Sequence, residues 1–318
     1  FWLGSFFFNE GTLTLGSVYL VFSYAEMSRH PMEQIREQME RFQKAAAGIS
    51  RVQGLFDRTS ALDTSGTDPV PEGALRVEID DVVFGYDDEV VLDRVSLDLP
   101  AGHVLGVLGR SGSGKTTMAR LLTRLYDPAQ GIVRLGGVEI KGAEIHSLRR
   151  HVGMVTQDVQ LFRATIRDNL TFFDESIPDS RVHEVLDELG LHDWLDTMPD
   201  GLDTRLESGG SGLSAGQAQL LAFTRIFLEN PGLVILDEAS SRLDPATEKL
   251  IERAVDRLLR DRTGIIIAHR LATVTRADAI LILEDGEVIE YGEREALAAD
   301  PKSRLSHLLV TGMEEVLA

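Results

Sequence analysis

Residues 103–128 read HVLGVLGRSGSGKTTMARLLTRLYDP, and they decide the fold. Within them Gly109-Arg110-Ser111-Gly112-Ser113-Gly114-Lys115-Thr116 fills every position of the phosphate-loop pattern G-x-x-x-x-G-K-S/T. His103 to Leu108 is a short, mainly apolar strand. Met118, Leu121, Leu122 and Leu125 then fall on one helical face until Asp127-Pro128 ends the pattern. Glycines let the backbone curl so that successive N–H groups converge on phosphate, and the positive end of the helix dipole adds to the attraction. Lys115 is placed to reach the β and γ phosphates of ATP, and Thr116 to put its hydroxyl on Mg²⁺. A glycine-rich turn that matches by chance is the alternative, and the strand-loop-helix setting argues against it.

Outward from this loop, the apolar run Leu233-Val234-Ile235-Leu236 ends in Asp237-Glu238. Two carboxylates at the end of a buried strand stand where a phosphate-loop sheet has its ligand crevice. Asp237 suits a role in holding Mg²⁺, usually through water. Glu238 suits proton acceptance from the water that attacks the γ-phosphate. A solvated acidic pair capping the next element is the structural alternative. Leu213-Ser214-Ala215-Gly216-Gln217 precedes a helical run, with Ser214 and Gln217 spaced as a capping box. A capped helix N-terminus is also an anion site.

The stretch LRVEIDDVVFGYDDEVVLDRVSLDLP reads as strands interrupted by a turn at Tyr86 to Glu89. Later residues alternate buried strands with amphipathic helices, the pattern of an α/β sheet. From Gln157 to Pro231 helical periodicity dominates, which indicates a helical subdomain inserted in the sheet. Residues 59–74, TSALDTSGTDPVPEGA, are rich in turn-forming types and mark a linker.

The 318 residues carry a formal net charge of -19 and no cysteine. That field disfavours nucleic acid, so a nucleotide must be held by a local arrangement. Disulfides, thiolate metal sites and thiol nucleophiles are excluded. At the start, two apolar runs flank Asn9, Glu10 and Gly11, a pattern expected of a hairpin at a membrane edge. The run Leu13 to Ala25 is shorter than the ~20 residues that span a hydrocarbon core, so a membrane helix requires that the following residues continue it. Ile35, Met39, Phe42, Ala46, Ile49 and Val52 recur at helical steps, with Pro31 expected to kink the helix. Arg29, Arg36, Arg41 and Lys44 follow the apolar run and place that side in the cytoplasm. A soluble apolar helix from a buried core is the other reading. The chain begins at Phe1 with no basic region before it, as expected of a piece of a longer protein.

Taken together, these motifs resemble the ATP-binding cassette family, specifically half-transporters of the exporter type, from Leu75 to about Pro301. The resemblance implies an α/β phosphate-loop fold with an antiparallel β subdomain and an inserted helical subdomain, preceded by a membrane helix. It divides the chain into the end of a transmembrane domain with its cytoplasmic extension (1–58), the linker (59–74), a nucleotide-binding domain (75–301) and a helical tail (302–318). It also implies that Tyr86 stacks on adenine and that Gly109, Ser111, Gly112, Ser113, Gly114, Lys115, Thr116 and Thr117 contact the nucleotide. Gln157 resembles the residue that touches Mg²⁺ and senses the membrane domain. Residues Ser241 to Asp244 resemble a loop that crosses to the partner, and His269 a switch histidine near the γ-phosphate; His269 rests mostly on the resemblance. Two such domains pair head to tail, so Ser214, Gly216 and Gln217 of one would face the ATP of the other. The partners implied are a second nucleotide-binding domain, a transmembrane domain and membrane lipid, with the catalytic groups on the cytoplasmic side of a cell membrane and nucleic acid excluded.

Three departures bear on that picture. The signature reads LSAGQ where LSGGQ is usual, Arg242 replaces a usual alanine, and Glu207 to Gly212 reads ESGGSG instead of a GERG-type stretch. They suggest a heterodimer with unequal sites in which this chain supplies Glu238. A soluble cassette ATPase acting on DNA or ribosomes would need a coiled-coil insertion or a basic surface, and neither is present. A non-enzymatic ATP-gated module would need loss of Glu238 or His269.

Overall fold

The computed structural model describes residues 2–11, 14–57, 60, 62–87, 89–156, 159–207, 213–237, 245–267 and 274–311. The chain divides into two compact units, Phe1–Ala61 and Leu62–Ala318. In the first, α1 (Trp2–Asn9) precedes α2 (Leu15–Phe56), a helix of 42 residues that is roughly 60 Å long. Thr14 caps α2 by accepting the Ser17 N–H at 3.3 Å. Pro31 lies inside α2 without ending it.

The expected membrane helix is corrected here: no helix among the described residues is long and apolar enough to cross a membrane. The reason lies in the sequence of α2. Its apolar stretch gives way at Glu26, and the charges of Arg29 and Glu33 follow before the ~20 residues of a bilayer core are reached. Beyond that point Ile35, Met39, Phe42, Ile49 and Val52 form an exposed apolar stripe.

In the second unit, period-two alternation builds two cores on opposite faces of one sheet. Its strands are β1 (Val77–Tyr86), β2 (Glu89–Leu99), β3 (Val104–Gly109), β4 (Gln130–Leu135), β5 (Val138–Glu139), β6 (Val152–Val155), β7 (Leu233–Asp237), β8 (Thr263–Ile267), β9 (Ala279–Glu284) and β10 (Glu287–Glu293). The main sheet runs β10-β9-β3-β8-β7-β6, parallel except for β10. Leu108, Val234, Leu236, Ile266, Ile280 and Ile282 enter one core. Leu105, Val107, Ile235, Ile265, Leu281 and Leu283 enter the other. Residues so placed are buried on both sides of the sheet, as in parallel α/β sheets.

A second, antiparallel sheet, β2-β1-β4-β5, shares the second core with α3 (Lys115–Leu122). α4 (Ile145–His151) leads into β6. Between β6 and β7 lie α5 (Ile166–Thr171), α6 (Asp179–Glu188), α7 (His192–Asp196) and α8 (Ala215–Glu229), the helical insertion expected from periodicity. α9 (Pro245–Leu258), α10 (Arg294–Ala299) and α11 (Arg304–Thr311) complete the unit. α3 stops three residues short of Leu125, which is 49% exposed, because Arg124 turns left-handed at φ 48.

Candidate functional site

The phosphate loop joins the C-terminal end of β3 to the first turn of α3. Its glycines are there for space and for handedness. Gly109 lies so close to β9 that a Cβ would fall 2.2 Å from the Leu283 carbonyl oxygen and 2.5 Å from Ser113 Oγ. Gly114 caps α3 at φ 102, a backbone conformation that side-chain-bearing residues rarely adopt. Ser111 is exposed at the turn, whereas Ser113 is 3% exposed and its hydroxyl has no hydrogen-bond partner. An orphaned buried hydroxyl inside a glycine cradle fits a polar ligand received there. Lys115 is buried, and its ammonium donates to Gly109 O at 2.6 Å and Arg110 O at 2.8 Å, which holds the charge within the loop.

Asp237 reaches this loop from the end of β7. Thr116 Oγ1 donates to Asp237 Oδ2 at 3.3 Å across 121 residues of sequence. A hydroxyl and a carboxylate side by side at the first turn of α3 are the oxygen pair that a magnesium ion takes when phosphates and water complete its shell. Among the described residues no group of three or more acidic, histidine or cysteine side chains could hold a metal ion.

Tyr86 ends β1 and packs edge-on against Phe84 and Tyr126, with centroids 5.1 and 5.3 Å away. Its hydroxyl receives Arg120 Nη1 at 3.0 Å and lies 3.4 Å from Thr117 Oγ1. The ring is therefore tied to α3 through Thr117, which is buried, and Arg120. Arg120 was not evident as a site residue from sequence. The Tyr86 hydroxyl, and more weakly Asp237, hold its pKa above the usual arginine value.

Gln157, Glu238 and His269 lie outside the described residues, as do Ser241 to Asp244. The strands that precede them, β6, β7 and β8, run parallel to β3 and so finish on the sheet edge that carries the phosphate loop. Ser214 does cap α8: Gln217 N–H donates to Ser214 Oγ at 3.1 Å and Ser214 N–H to Gln217 Oε1 at 2.8 Å. Ser214 is exposed and Gly216 buried. α8 lies with α5, α6 and α7 between β6 and β7, so the capped end belongs to the helical insertion.

Two further features escaped the sequence reading. Arg225, on the buried side of α8, donates to Asn169 O at 2.6 Å, Gln160 O at 2.9 Å and Asn169 Oδ1 at 3.3 Å, and lies 4.6 Å above the Phe172 ring. Burial lowers its pKa from the usual arginine value. An arginine among the apolar residues of AQLLAFTRIFLEN was the signal available. Beside it, Phe162, Phe172 and Phe173 are 45%, 49% and 55% exposed and stack edge to face. Phe172 and Phe173 also both have positive φ, an uncommon pairing.

A glycine phosphate loop on a parallel sheet, an acidic strand end against its threonine, and a helical insertion ending in a capped helix define a phosphate-loop ATPase with an inserted helical subdomain. The ABC transporter family profile matches residues 92–241. The chain is 36% identical over 299 residues to the uncharacterized ABC transporter ATP-binding protein YfiC of Bacillus subtilis, covering 93% of this chain and 49% of that protein. It is 38% identical over 291 residues to the ATP-dependent lipid A-core flippase of Aliivibrio fischeri, covering 91% and 50%. A solved bacterial Atm1-family ABC exporter with ATP bound superposes with a TM-score of 0.76 at 30% identity, covering 94% of this chain and 53% of that one. Residues 92–241 thus belong to the ABC transporter family, and the chain is similar to ABC exporters over more than nine-tenths of its length. It spans about half the length of the curated relatives it matches.

Proposed function

We propose that this chain binds and hydrolyses ATP to drive export of a substrate across a membrane, as the ATPase part of a longer half-transporter. The observation that carries the reading is the 3.3 Å approach of Thr116 to Asp237 beside a loop shaped by Gly109 and Gly114. The amides of residues 111–116 and the Lys115 ammonium cradle the phosphates, where preorganised donors stabilise charge as the γ-phosphoryl group leaves. Magnesium, when bound, neutralises phosphate charge; Thr116, Asp237 and Gln157 would hold it. Glu238 accepts a proton from the attacking water, His269 faces the γ-phosphate, and Tyr86 meets the adenine.

Ser214, Gly216 and Gln217 act in trans in this reading. Ser214 and Ala215 at the start of that helix are exposed and carried by the insertion, as required if a second nucleotide-binding domain presents its own ATP to it. Ala215 puts a methyl group at that approach, which favours a heterodimer with unequal sites. The exposed phenylalanines at 162, 172 and 173 fit a face covered by the transmembrane domain, since clustered exposed aromatic rings, two of them here on positive-φ backbone, mark contact surfaces. The basic residues Arg29, Arg36, Arg41 and Lys44 after the second apolar run support a cytoplasmic side for the ATPase, with lipid around the membrane part.

The test is Glu238→Gln in the purified protein paired with its partner domain. MgATP binding persists and steady-state turnover falls by at least about a hundredfold, the scale of a lost general base. Unchanged turnover would refute the assignment of Glu238.

A further inference from the structure

Among the described residues of the second unit, Arg124 is the largest side chain to be buried completely, with 0% exposure. It stands where helices usually place glycine. α3 closes in a Schellman turn, with Leu125 N–H on Arg120 O and Arg124 N–H on Leu121 O, both at 2.9 Å, and Arg124 at φ 48. An L-residue there carries a backbone penalty that glycine avoids. What offsets it is the placement of the guanidinium. Nε donates to Asp127 Oδ1 at 3.2 Å, Nη1 to Ala143 O at 3.1 Å and Nη2 to Asp63 O at 2.5 Å.

Asp63 lies at the point where the chain enters the second unit. From there residues 63–70 form a strap against the segment that leads into α4. Asp68 N–H donates to Gly142 O at 3.0 Å and Glu144 N–H returns to Asp68 O at 2.9 Å. Val70 N–H reaches Ser147 Oγ at 3.1 Å. At Gly66 the approach is so close that a Cβ would fall 2.5 Å from Gly142 O. The strap is thus pinned along its length, and its first residue is held by the side chain that ends α3. The other end of α3 is the phosphate loop, about 12 Å away along eight residues of rigid helix.

We propose that Arg124 is a positioning residue that ties the entry strap to the phosphate-loop helix, so that the placement of the strap sets the placement of the loop amides. The inference rests on the nucleotide-binding reading above. The tie gives the covalent link between the two units an energetic path to the nucleotide.

The test uses the 318-residue chain, with MgATP as titrant in calorimetry and melting temperature measured alongside. Arg124→Gly keeps and eases the helix stop while removing the guanidinium. Gly66→Val lifts the strap while leaving Arg124 intact. Each weakens MgATP binding about 3- to 30-fold, the range of residues that couple sites without touching ligand. The double variant weakens it no further than the stronger single one, the mark of one shared interaction. Wild-type affinity in Arg124→Gly, even with a lowered melting temperature, or losses that multiply in the double variant, would overturn the proposal. Lys115→Ala separates the two readings: if the unmodified chain binds no better than this variant, the nucleotide reading itself fails, and the tie with it.

Discussion

Substituting Gly114 by alanine puts the phosphate loop under a strain whose size follows from its geometry. Gly114 holds φ 102 and ψ 0 as the cap of α3, outside the left-handed well that L-residues visit. The added Cβ would lie 2.5 Å from Leu92 Cδ2 and 3.1 Å from Val91 O. Leu92 can move by leaving its rotamer, at about 0.5–1.5 kcal/mol. The backbone has no such escape, and strain of that kind costs about 1–3 kcal/mol. Together they amount to roughly 2–4 kcal/mol. For a unit of this size each kcal/mol lowers the melting temperature by about 2–4 °C, so calorimetry should record a fall of about 4–16 °C. Relief is available only by turning the peptide that precedes α3, which takes an N–H off the phosphates. A hydrogen bond to a charged group contributes about 1.5–3 kcal/mol, so MgATP affinity should fall at least about tenfold. Gly112→Ala is the internal comparison, since Gly112 has φ 84 but nothing within 4 Å of a Cβ. It should be the milder change in both assays. Unaltered stability and affinity in Gly114→Ala, or a worse result for Gly112→Ala, would refute the account of the loop.

Ser214→Ala removes the cap of α8 and should cost about 1 kcal/mol by chemical denaturation. Ser214→Asp keeps the cap but sets a carboxylate where a partner's phosphate arrives, so ATPase activity of the paired domains should fall with stability held; equal activity would count against a role in trans. Arg225→Met strands the buried carbonyl of Asn169, at about 1–3 kcal/mol, and releases that of Gln160, so hydrogen exchange should show the helical insertion opening first. Protection unchanged across residues 160–172 would contradict that. The Arg76 guanidinium, bonded to Asp98 at 2.8 and 2.6 Å, holds the Asp98 carboxyl below its usual 3.8. A lowered carboxyl pKa contributes stability that is present above 3.8 and lost as pH falls through the folded value. Both groups are more than half exposed, so the contribution to stability is small. Asp98→Asn should lower the melting temperature slightly at pH 7 and not at all at pH 2; a difference that persists in acid would exclude the ion pair as its cause.

The sheet core was readable because its strands obey simple rules. Leu233 to Leu236 is an uninterrupted apolar run, and in the structure its residues enter two cores in alternation. The phosphate loop was readable because glycine, lysine and threonine at fixed spacing have few other uses. The end of α3 was not, since Leu125 continues the apolar period while Arg124 overrides it through a left-handed turn that period alone does not reveal. The N-terminal segment misled for a related reason: α2 continues as a helix well past its apolar stretch, and helical periodicity does not report whether a helix is apolar enough for a membrane. Arg225 and Arg120 were missed because their partners are backbone carbonyls or a tyrosine hydroxyl distant in sequence. The juxtaposition of Thr116 and Asp237 followed from motif order but needed the strand sequence β3-β8-β7 to become a distance.

The central claim is that a triphosphate is gripped by main-chain amides and by Lys115 at the end of β3. Isothermal titration of the chain with MgATP, beside Lys115→Ala, measures it most directly. The unmodified chain should give a saturating heat of binding, and the variant should lose it. No heat from the unmodified chain, or the same isotherm from both, would contradict the account.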